Sequence, residues 1–386
     1  MTSARSGGEG QGTSVLGVSW VQREGEPIGD EVDMPTFKEH RNVEWERKGV
    51  IRILSIDGGG VRGVIPAVIL GKLKEHLGGK EIWECFDAVT GTSTGAILAS
   101  MLFARKEVEG ALQKAALYSP EEASEEYLKL ANQIFPSSTS VRGWRKALCG
   151  IVPLYSAAPL ESKLVTALGE QTLSDTLKPL LVPAYDLRSS SLVFFSSMDK
   201  VRGNLPLRDV CRATSAAPTY FPAKSLEGPN LNILAIDGGM AANNPVLHGM
   251  AHVFKSPKNF PGPVEKMLVL SLGTGEGGRE SKDRSKLASR GRFGWVMHLV
   301  DVMMGGTSHA QHLSANKTLT GANYLRLQAV GLSREDMRMD HGDPKHLESL
   351  RKKVEQHVCV QEHGKNVYET WEDRLKDFAE KLLEVQ

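Results

Sequence analysis

The chain has 386 residues, 40% of them hydrophobic and 24% charged, which suits a soluble globular protein and allows one large α/β domain with additions. Its 47 basic and 46 acidic residues leave a net charge of +1, so bulk charge does not favour nucleic acid, while a local basic patch facing a membrane stays compatible with it. Four scattered cysteines, Cys85, Cys149, Cys211 and Cys359, argue against a disulfide framework or a zinc site and fit a reducing, cytoplasmic compartment.

Residues 1–13 are rich in Gly, Ser and Thr and are expected to be disordered, and residues 14–49 read as a partly ordered extension. No apolar stretch of signal-peptide length opens the sequence, and no run of about 18 apolar residues follows. The expectation is therefore a protein without signal peptide or transmembrane helix, meeting any lipid from the water side. Residues 51–56 (IRILSI) predict a buried strand that stops at Asp57-Gly58-Gly59-Gly60. A helix is expected over 64–77, with Pro66 tolerated in its first turn. A short strand over 86–90 then meets Gly91-Thr92-Ser93-Thr94-Gly95 and a second apolar helix over 96–104. Strand, glycine turn and helix, twice over, predict a parallel α/β sheet.

The middle, 105–178, reads as helical, with Glu121, Glu122, Glu125 and Glu126 on a solvated face. Strands are expected at 180–187 and 191–196, a helix at 206–217, and a strand at 231–236 that stops at Asp237-Gly238-Gly239. Asn244 and Pro245 then open another helix. Residues 267–272 predict one more strand before Gly273-Thr274-Gly275, and the tail beyond Pro344 reads as charged and helical. The expected organisation is an extension over 1–49, a catalytic domain over 50–330 with its motif core at 54–255, and a C-terminal helical extension over 331–386 packed on that domain.

Three turns carry the chemistry. Gly91-Thr92-Ser93-Thr94-Gly95 is a G-x-S-x-G, whose small residues let a strand turn sharply into a helix with the serine exposed at the tip. A glycine-flanked helix cap is the bland reading. The second turn, Asp57 through Gly60 and on to Val61, Arg62 and Gly63, brings backbone amides together as an anion-binding nest. It fits either an oxyanion loop or a dinucleotide fingerprint, Gly58-x-Gly60-x-x-Gly63. The dinucleotide reading expects an acid at a strand end about 20 residues on. Glu81 and Glu84 do not clearly supply it, and the neighbouring serine turn favours the oxyanion loop. The third turn puts Asp237 at a strand end, where it can reach a neighbouring strand end on the carboxyl edge of a parallel sheet. A turn-forming Asp-Gly is its alternative. A Ser-His-Asp triad is disfavoured, since only one strand precedes that of Ser93 and His248, His252, His298 and His341 lack a catalytic setting. His248 and His252 share a helical i, i+4 spacing but have no third ligand, so no metal site is expected.

In this order the three turns resemble the patatin-like phospholipases. The family's D-G-G-G-x-R-G is matched from Asp57 to Gly63, its G-x-S-x-G from Gly91 to Gly95, and its D-G-G at Asp237, Gly238 and Gly239. The run over 211–223 (CRATSAAPTYFPA) is also similar, and the resemblance covers roughly 51–330, closer to the plant and bacterial patatin type than to the animal lipid-droplet enzymes. Ala96 and Met240 depart from many relatives without removing a reactive group. The resemblance implies a three-layer α/β/α fold with a mainly parallel central sheet. It implies a phospholipase A or galactolipase-like lipid acyl hydrolase without metal or cofactor, active in lipid catabolism or signalling. Ser93 would be nucleophile and Asp237 general base, with the amides of Gly58, Gly59, Gly60 and Thr94 as oxyanion hole. Arg62 is read as steadying the loop, with a lipid phosphate as its alternative partner.

Basic residues Lys282, Arg284, Lys286, Arg290 and Arg292 precede an apolar stretch with Phe293 and Trp295. That pattern suits a peripheral membrane contact with Trp295 near the acyl-binding mouth, or a core-facing helix. An acyltransferase using the same Ser-Asp dyad and a catalytically silent lipid-binding module are the alternatives to hydrolysis. Partners are phospholipid or galactolipid, with no nucleic acid.

Overall fold

A computed structural model describes residues 49–135, 152–277, 292–319, 323–362, 365–367 and 371–385. The expected extension over 1–49 lies, except for Gly49, outside the described residues, as does the basic run up to Arg290.

Strand β1 (Ile51–Ile56) is buried at every residue, and its period-two alternation shows why the sheet needs helices on both faces. Ile51 and Ile53 enter a core on one face, while Leu54 and Ile56 enter a larger core on the other. After the glycine turn come α1 (Val64–Glu75), α2 (Ile82–Cys85) and β2 (Ala88–Gly91). Helix α3 (Thr94–Phe103) is buried at all of its positions, as expected of a helix held between sheet and outer helices.

The expectation of a helical middle fails first at β3 (Arg105–Val108) and β4 (Ala111–Ala116), an antiparallel hairpin. Its turn residues Glu109 and Gly110 both have positive φ, 52° and 77°, the geometry that joins two strands tightly. Helices do follow: α4 (Pro120–Ile134), opened by a Ser119–Glu122 capping box, and α5 (Ala158–Leu168). Next come β5 (Leu180–Asp186), β6 (Ser191–Ser196), α6 (Leu207–Thr214), β7 (Lys224–Gly228) and β8 (Leu231–Asp237). The chain continues through α7 (Gly239–Ala242), α8 (Val246–Phe254), β9 (Met267–Leu272), β10 (Glu276–Gly277), α9 (Arg292–Thr318) and β11 (Tyr324–Leu332). It ends with α10 (Pro344–His357), β12 (Val358–Glu362), β13 (Lys365–Val367) and α11 (Trp371–Glu384).

The sheet runs β13-β12-β11-β9-β1-β2-β5-β8-β7, with β6 on β5 and β10 on β11. Its centre, β11-β9-β1-β2-β5, is parallel, and its margins are antiparallel. Helices α8 and α9 pack on one face and α1, α3, α4, α5 and α6 on the other, which makes the three-layer α/β/α fold. The C-terminal segment is not purely helical: β12, whose Val358, Cys359 and Val360 are buried, adds an antiparallel strand to β11. It extends the sheet rather than only covering the domain. No helix among the described residues is long and apolar enough to cross a membrane.

The strand carrying Asp237 runs against the expected direction. β6 occupies one edge of β5 from Leu181 to Asp186. On the opposite edge β2 pairs in parallel at Leu180 and Leu181, and β8 pairs antiparallel from Ala184 to Asp186. The carboxyl ends of β2 and β8 therefore face each other across the gap at Val182 and Pro183. Pro183 has no N–H to leave unpaired there.

At the start of the sheet, Arg52 grips Asp87 through Nη2–Oδ1 (2.6 Å) and Nε–Oδ2 (2.9 Å), both side chains being buried. Removing one partner of such a pair leaves the other charge in a dry interior. Asp87→Ala is expected to lower unfolding stability by about 3–5 kcal/mol, and Arg52→Met with Asp87→Leu by much less. Urea unfolding of the three proteins checks this.

Candidate active site

The site begins where β2 must turn into α3. Gly95 makes the turn possible, because a Cβ there would lie 2.3 Å from the Ile56 carbonyl oxygen and 2.6 Å from that of Asp57. Ser93 sits at the tip with φ 52° and ψ −121°, a conformation that costs an L-residue about 1–3 kcal/mol. Its surroundings hold it there. The Ser93 N–H donates to Thr214 Oγ1 (3.0 Å), whose hydroxyl donates to the Pro183 carbonyl (2.6 Å). The neighbouring Thr92 Oγ1 donates to the Ala242 carbonyl (2.7 Å).

Across the gap, Ser93 Oγ donates to Asp237 Oδ2 at 2.7 Å. Asp237 Oδ1 accepts the Gly239 N–H, also at 2.7 Å. The end of β8 is fixed by backbone bonds from Asp237 N–H to Ala216 O (3.0 Å) and from Gly238 N–H to Thr214 O (3.3 Å). Asp237 is 2% exposed, and no basic side chain among the described residues hydrogen-bonds to it. Burial pushes its carboxyl up to about 6, against the two hydrogen bonds that favour the ionised form.

The glycine loop is anchored from below by Asp57, which accepts a bidentate fork from Arg326 (2.8 and 2.7 Å) and a hydrogen bond from Ser308 Oγ (2.9 Å). Burial raises Asp57 and the guanidinium opposes that rise, while Arg326 is itself pushed above its ordinary value by the carboxylate. Gly58 is fully engaged. Its N–H donates to Asn243 O (3.1 Å), and its carbonyl accepts from Thr274 Oγ1 (2.6 Å) and Asn243 Nδ2 (3.3 Å). The expected Gly58 amide is therefore corrected: it is spent inside the loop and is not free to hold an oxyanion. The amides of Gly59, Gly60 and Thr94 have no hydrogen-bond partner among the described residues. Gly60 and Thr94 line the same pocket as Ser93 and Asp237.

Gly60 (φ 61°) is required by close approach, since a Cβ would meet Met339 O at 2.3 Å. Tyr127 OH donates to its carbonyl (2.7 Å), and Val61 N–H donates to Met339 O (2.9 Å). Arg62 is buried, with Nε on Gly59 O (3.1 Å) and Nη1 on Gly275 O (3.2 Å), so in this structure it braces the loop. At Gly63 and Gly91, a Cβ would press on Thr94 and on the Gly95 backbone.

The pocket above the serine is almost wholly apolar, with Ile97, Ile134, Phe135, Leu160 and Phe221 among its walls. Met304 of α9 closes one side. The side chains of Phe293 and Trp295, on the first turn of that helix, lie outside the described residues. Further along, Leu299, Val302 and Met303 are exposed. His248 and His252 lie elsewhere, against β6: His252 Nε2 is 3.0 Å from Ser196 Oγ, and His248 packs on the Phe194 ring. Burial lowers both, His252 to about 4. No histidine hydrogen-bonds to Ser93 or Asp237 among the described residues.

Sequence reasoning missed Thr214, Asn243, Thr274 and Arg326. Arg326 had a readable signal: a lone arginine inside the apolar strand YLRLQAVGL demands a buried acid. Thr214 and Asn243 had none, because their partners lie far away in the chain: backbone atoms of Ser93 and Pro183 for Thr214, the Gly58 carbonyl and the Ser308 hydroxyl for Asn243.

Residues 54–249 match the family described as patatin-like phospholipase. The chain is 34% identical to "Patatin-like protein 2" of Arabidopsis thaliana over 78% of this chain and 81% of that protein. It is 32% identical to "Patatin-like protein 3" of the same plant, over 87% and 89%. To "Patatin-like protein 2" of Oryza sativa subsp. indica it is 30% identical, over 80% and 83%.

Folding raises Asp237 from its ordinary 3.8 to about 6. The neutral carboxyl is compatible with the fold at acid pH, and stability is lost as pH rises through 6 and the buried group ionises. Asp237→Asn is thus expected to be more stable than wild type at pH 8, by up to about 3 kcal/mol, with the gain gone by about pH 4. Thermal unfolding across that range measures it.

Proposed function

The chain belongs to the patatin-like phospholipase family, whose hydrolases act on lipid esters, and on that premise we propose that Ser93 is its nucleophile and Asp237 its general base. The observation that carries this reading is the 2.7 Å hydrogen bond from Ser93 Oγ to a carboxylate with no cationic partner among the described residues, at the floor of an apolar pocket.

Ser93 Oγ attacks the acyl carbonyl carbon and its proton passes to Asp237 Oδ2. The amides of Gly59, Gly60 and Thr94 receive the developing oxyanion, each donor lowering the barrier by about 3 kcal/mol. Collapse of the tetrahedral intermediate expels the alcohol, which takes the proton from Asp237, and leaves an acyl-enzyme on Ser93. Water then gives a proton to the same carboxylate as it attacks the acyl carbon, and collapse of the second tetrahedral intermediate breaks the bond to Ser93 Oγ, which takes that proton back from Asp237 as the fatty acid leaves. A carboxyl raised to about 6 is a stronger base than an exposed aspartate while still ionised at neutral pH. Direct contact between hydroxyl and carboxylate leaves no step that needs a histidine or a metal.

The pocket suits a fatty-acyl chain, which makes phospholipids or galactolipids the substrates, in lipid catabolism or signalling. Helix α9 is the proposed contact with the lipid surface, because its exposed Leu299, Val302 and Met303 flank Met304 in the pocket wall. A peripheral encounter from the cytoplasm agrees with free, buried Cys211 and Cys359.

Fatty-acid release from mixed phospholipid and galactolipid vesicles in EDTA tests the assignment. Wild type is expected to be active, and Ser93→Ala and Asp237→Asn to lose at least about a thousandfold. For wild type, kcat/KM should fall as pH drops through about 6, when Asp237 takes up its proton. Undiminished release by both variants would reject the dyad. Leu299→Ser with Val302→Ser should cut turnover of vesicles severalfold yet spare monomeric short-chain esters; equal losses on both would reject the surface role.

A further inference from the structure

A second group of side chains with convergent chemistry lies outside the serine site, in the segment that follows β11 and the first turn of α10. Glu335, His341 and His346 each offer one donor atom within 4.8 Å of the others. His341 Nδ1 is 3.7 Å from Glu335 Oε1, and His346 Nε2 is 3.8 Å from Asp336 Oδ1. Both separations are too long for hydrogen bonds. The two imidazoles stack with centroids 3.9 Å apart and planes 14° from parallel. His341 Nδ1 and His346 Nε2 are shut off from solvent and have no hydrogen-bond partner among the described residues.

Two orphaned ring nitrogens in one place are uncommon, because buried polar atoms are nearly always satisfied. A divalent cation would satisfy both. Metal–nitrogen and metal–oxygen bonds of about 2.0–2.2 Å at a tetrahedral angle place ligand atoms roughly 3.3–3.5 Å apart, and a metal lies in the plane of each imidazole it binds, so closing the site requires one of the two rings to turn out of the stack. Two imidazoles with carboxylate oxygens form a borderline donor set that suits zinc better than calcium or magnesium.

We propose that Glu335, His341 and His346 bind one Zn²⁺-class divalent cation, with Asp336 Oδ1 or water completing its shell. Lys353 Nζ, 3.5 Å from Asp336, and Ser333 Oγ, 2.6 Å from it, hold that carboxylate beside the ion. The position gives the ion a consequence. Between Glu335 and His341 lies Met339, whose carbonyl accepts the Val61 N–H and whose side chain lines the pocket. Tying both ends of this segment to one ion restricts the strap that presses on Gly60. The ion has no part in the proton transfers, so the site stands or falls independently of the serine mechanism.

The test is zinc titration of the full chain, first stripped with chelator, by calorimetry and by thermal unfolding. The expected result is one equivalent bound at micromolar affinity or tighter. A rise of several degrees in Tm and slower backbone hydrogen exchange over 333–343 should accompany it. His341→Gln and His346→Gln should each weaken binding at least tenfold and abolish the rise, while ester hydrolysis in chelator stays at the wild-type level. Glu335 is largely exposed, so Glu335→Gln removes a ligand without threatening the fold and should also weaken binding. Absence of a zinc-dependent rise in wild type, or an equal rise in all three variants, would overturn the site.

Discussion

Everything at the serine site depends on two strands stopping short of each other on one edge of β5. β2 ends at Gly91 and β8 ends at Asp237, and Thr214 fills the gap between them. Its hydroxyl accepts the Ser93 N–H and donates to Pro183 O, while its carbonyl accepts the Gly238 N–H. One residue thus ties the strained serine turn, the interrupted strand and the aspartate turn together. A short hydroxyl–carboxylate contact follows from that arrangement without a third side chain to bridge it. Proline suits the interrupted position, since it brings no N–H that the missing ladder would have to satisfy.

Two of the buried aspartates, Asp57 and Asp237, show how environment separates structure from chemistry. Asp57 is met by a guanidinium fork and a hydroxyl, and its charge anchors the glycine loop. Among the described residues Asp237 meets only a hydroxyl and one amide, and burial lifts it to about 6. The first is compensated and inert; the second keeps an uncompensated affinity for a proton. The same contrast divides the loop amides, with Gly58 consumed in packing and Gly59, Gly60 and Thr94 left open. Strain at Ser93 and poor solvation at Asp237 are both costs to stability, concentrated where the reacting groups lie.

The parts of the fold legible in the sequence were those with local causes. β1 and β9 are short apolar runs cut off by glycine turns, and both lie where the pattern puts them. The three-layer architecture follows from strand-turn-helix units whose strands are buried on both faces. Other features depend on partners far away in the chain. Nothing in LNILAID says which way β8 runs, because its direction is set by its pairing with β5 and β7. Glu109-Gly110 lacks the usual hairpin signature, and β12 hides as a short apolar run behind a helix. At the site, the reactive pair was readable from its turns, whereas the fate of the Gly58 amide was not, because Asn243 reaches it only in the folded chain.

The most direct measurement is the mass of the enzyme during turnover of a slowly deacylating chromogenic ester, quenched in acid and digested. The account predicts a burst of released alcohol matched by one acyl group on the peptide containing Ser93, and neither burst nor acyl group in Ser93→Ala. Ester hydrolysis with no acyl group on Ser93, or with the acyl group carried by another residue, would contradict it.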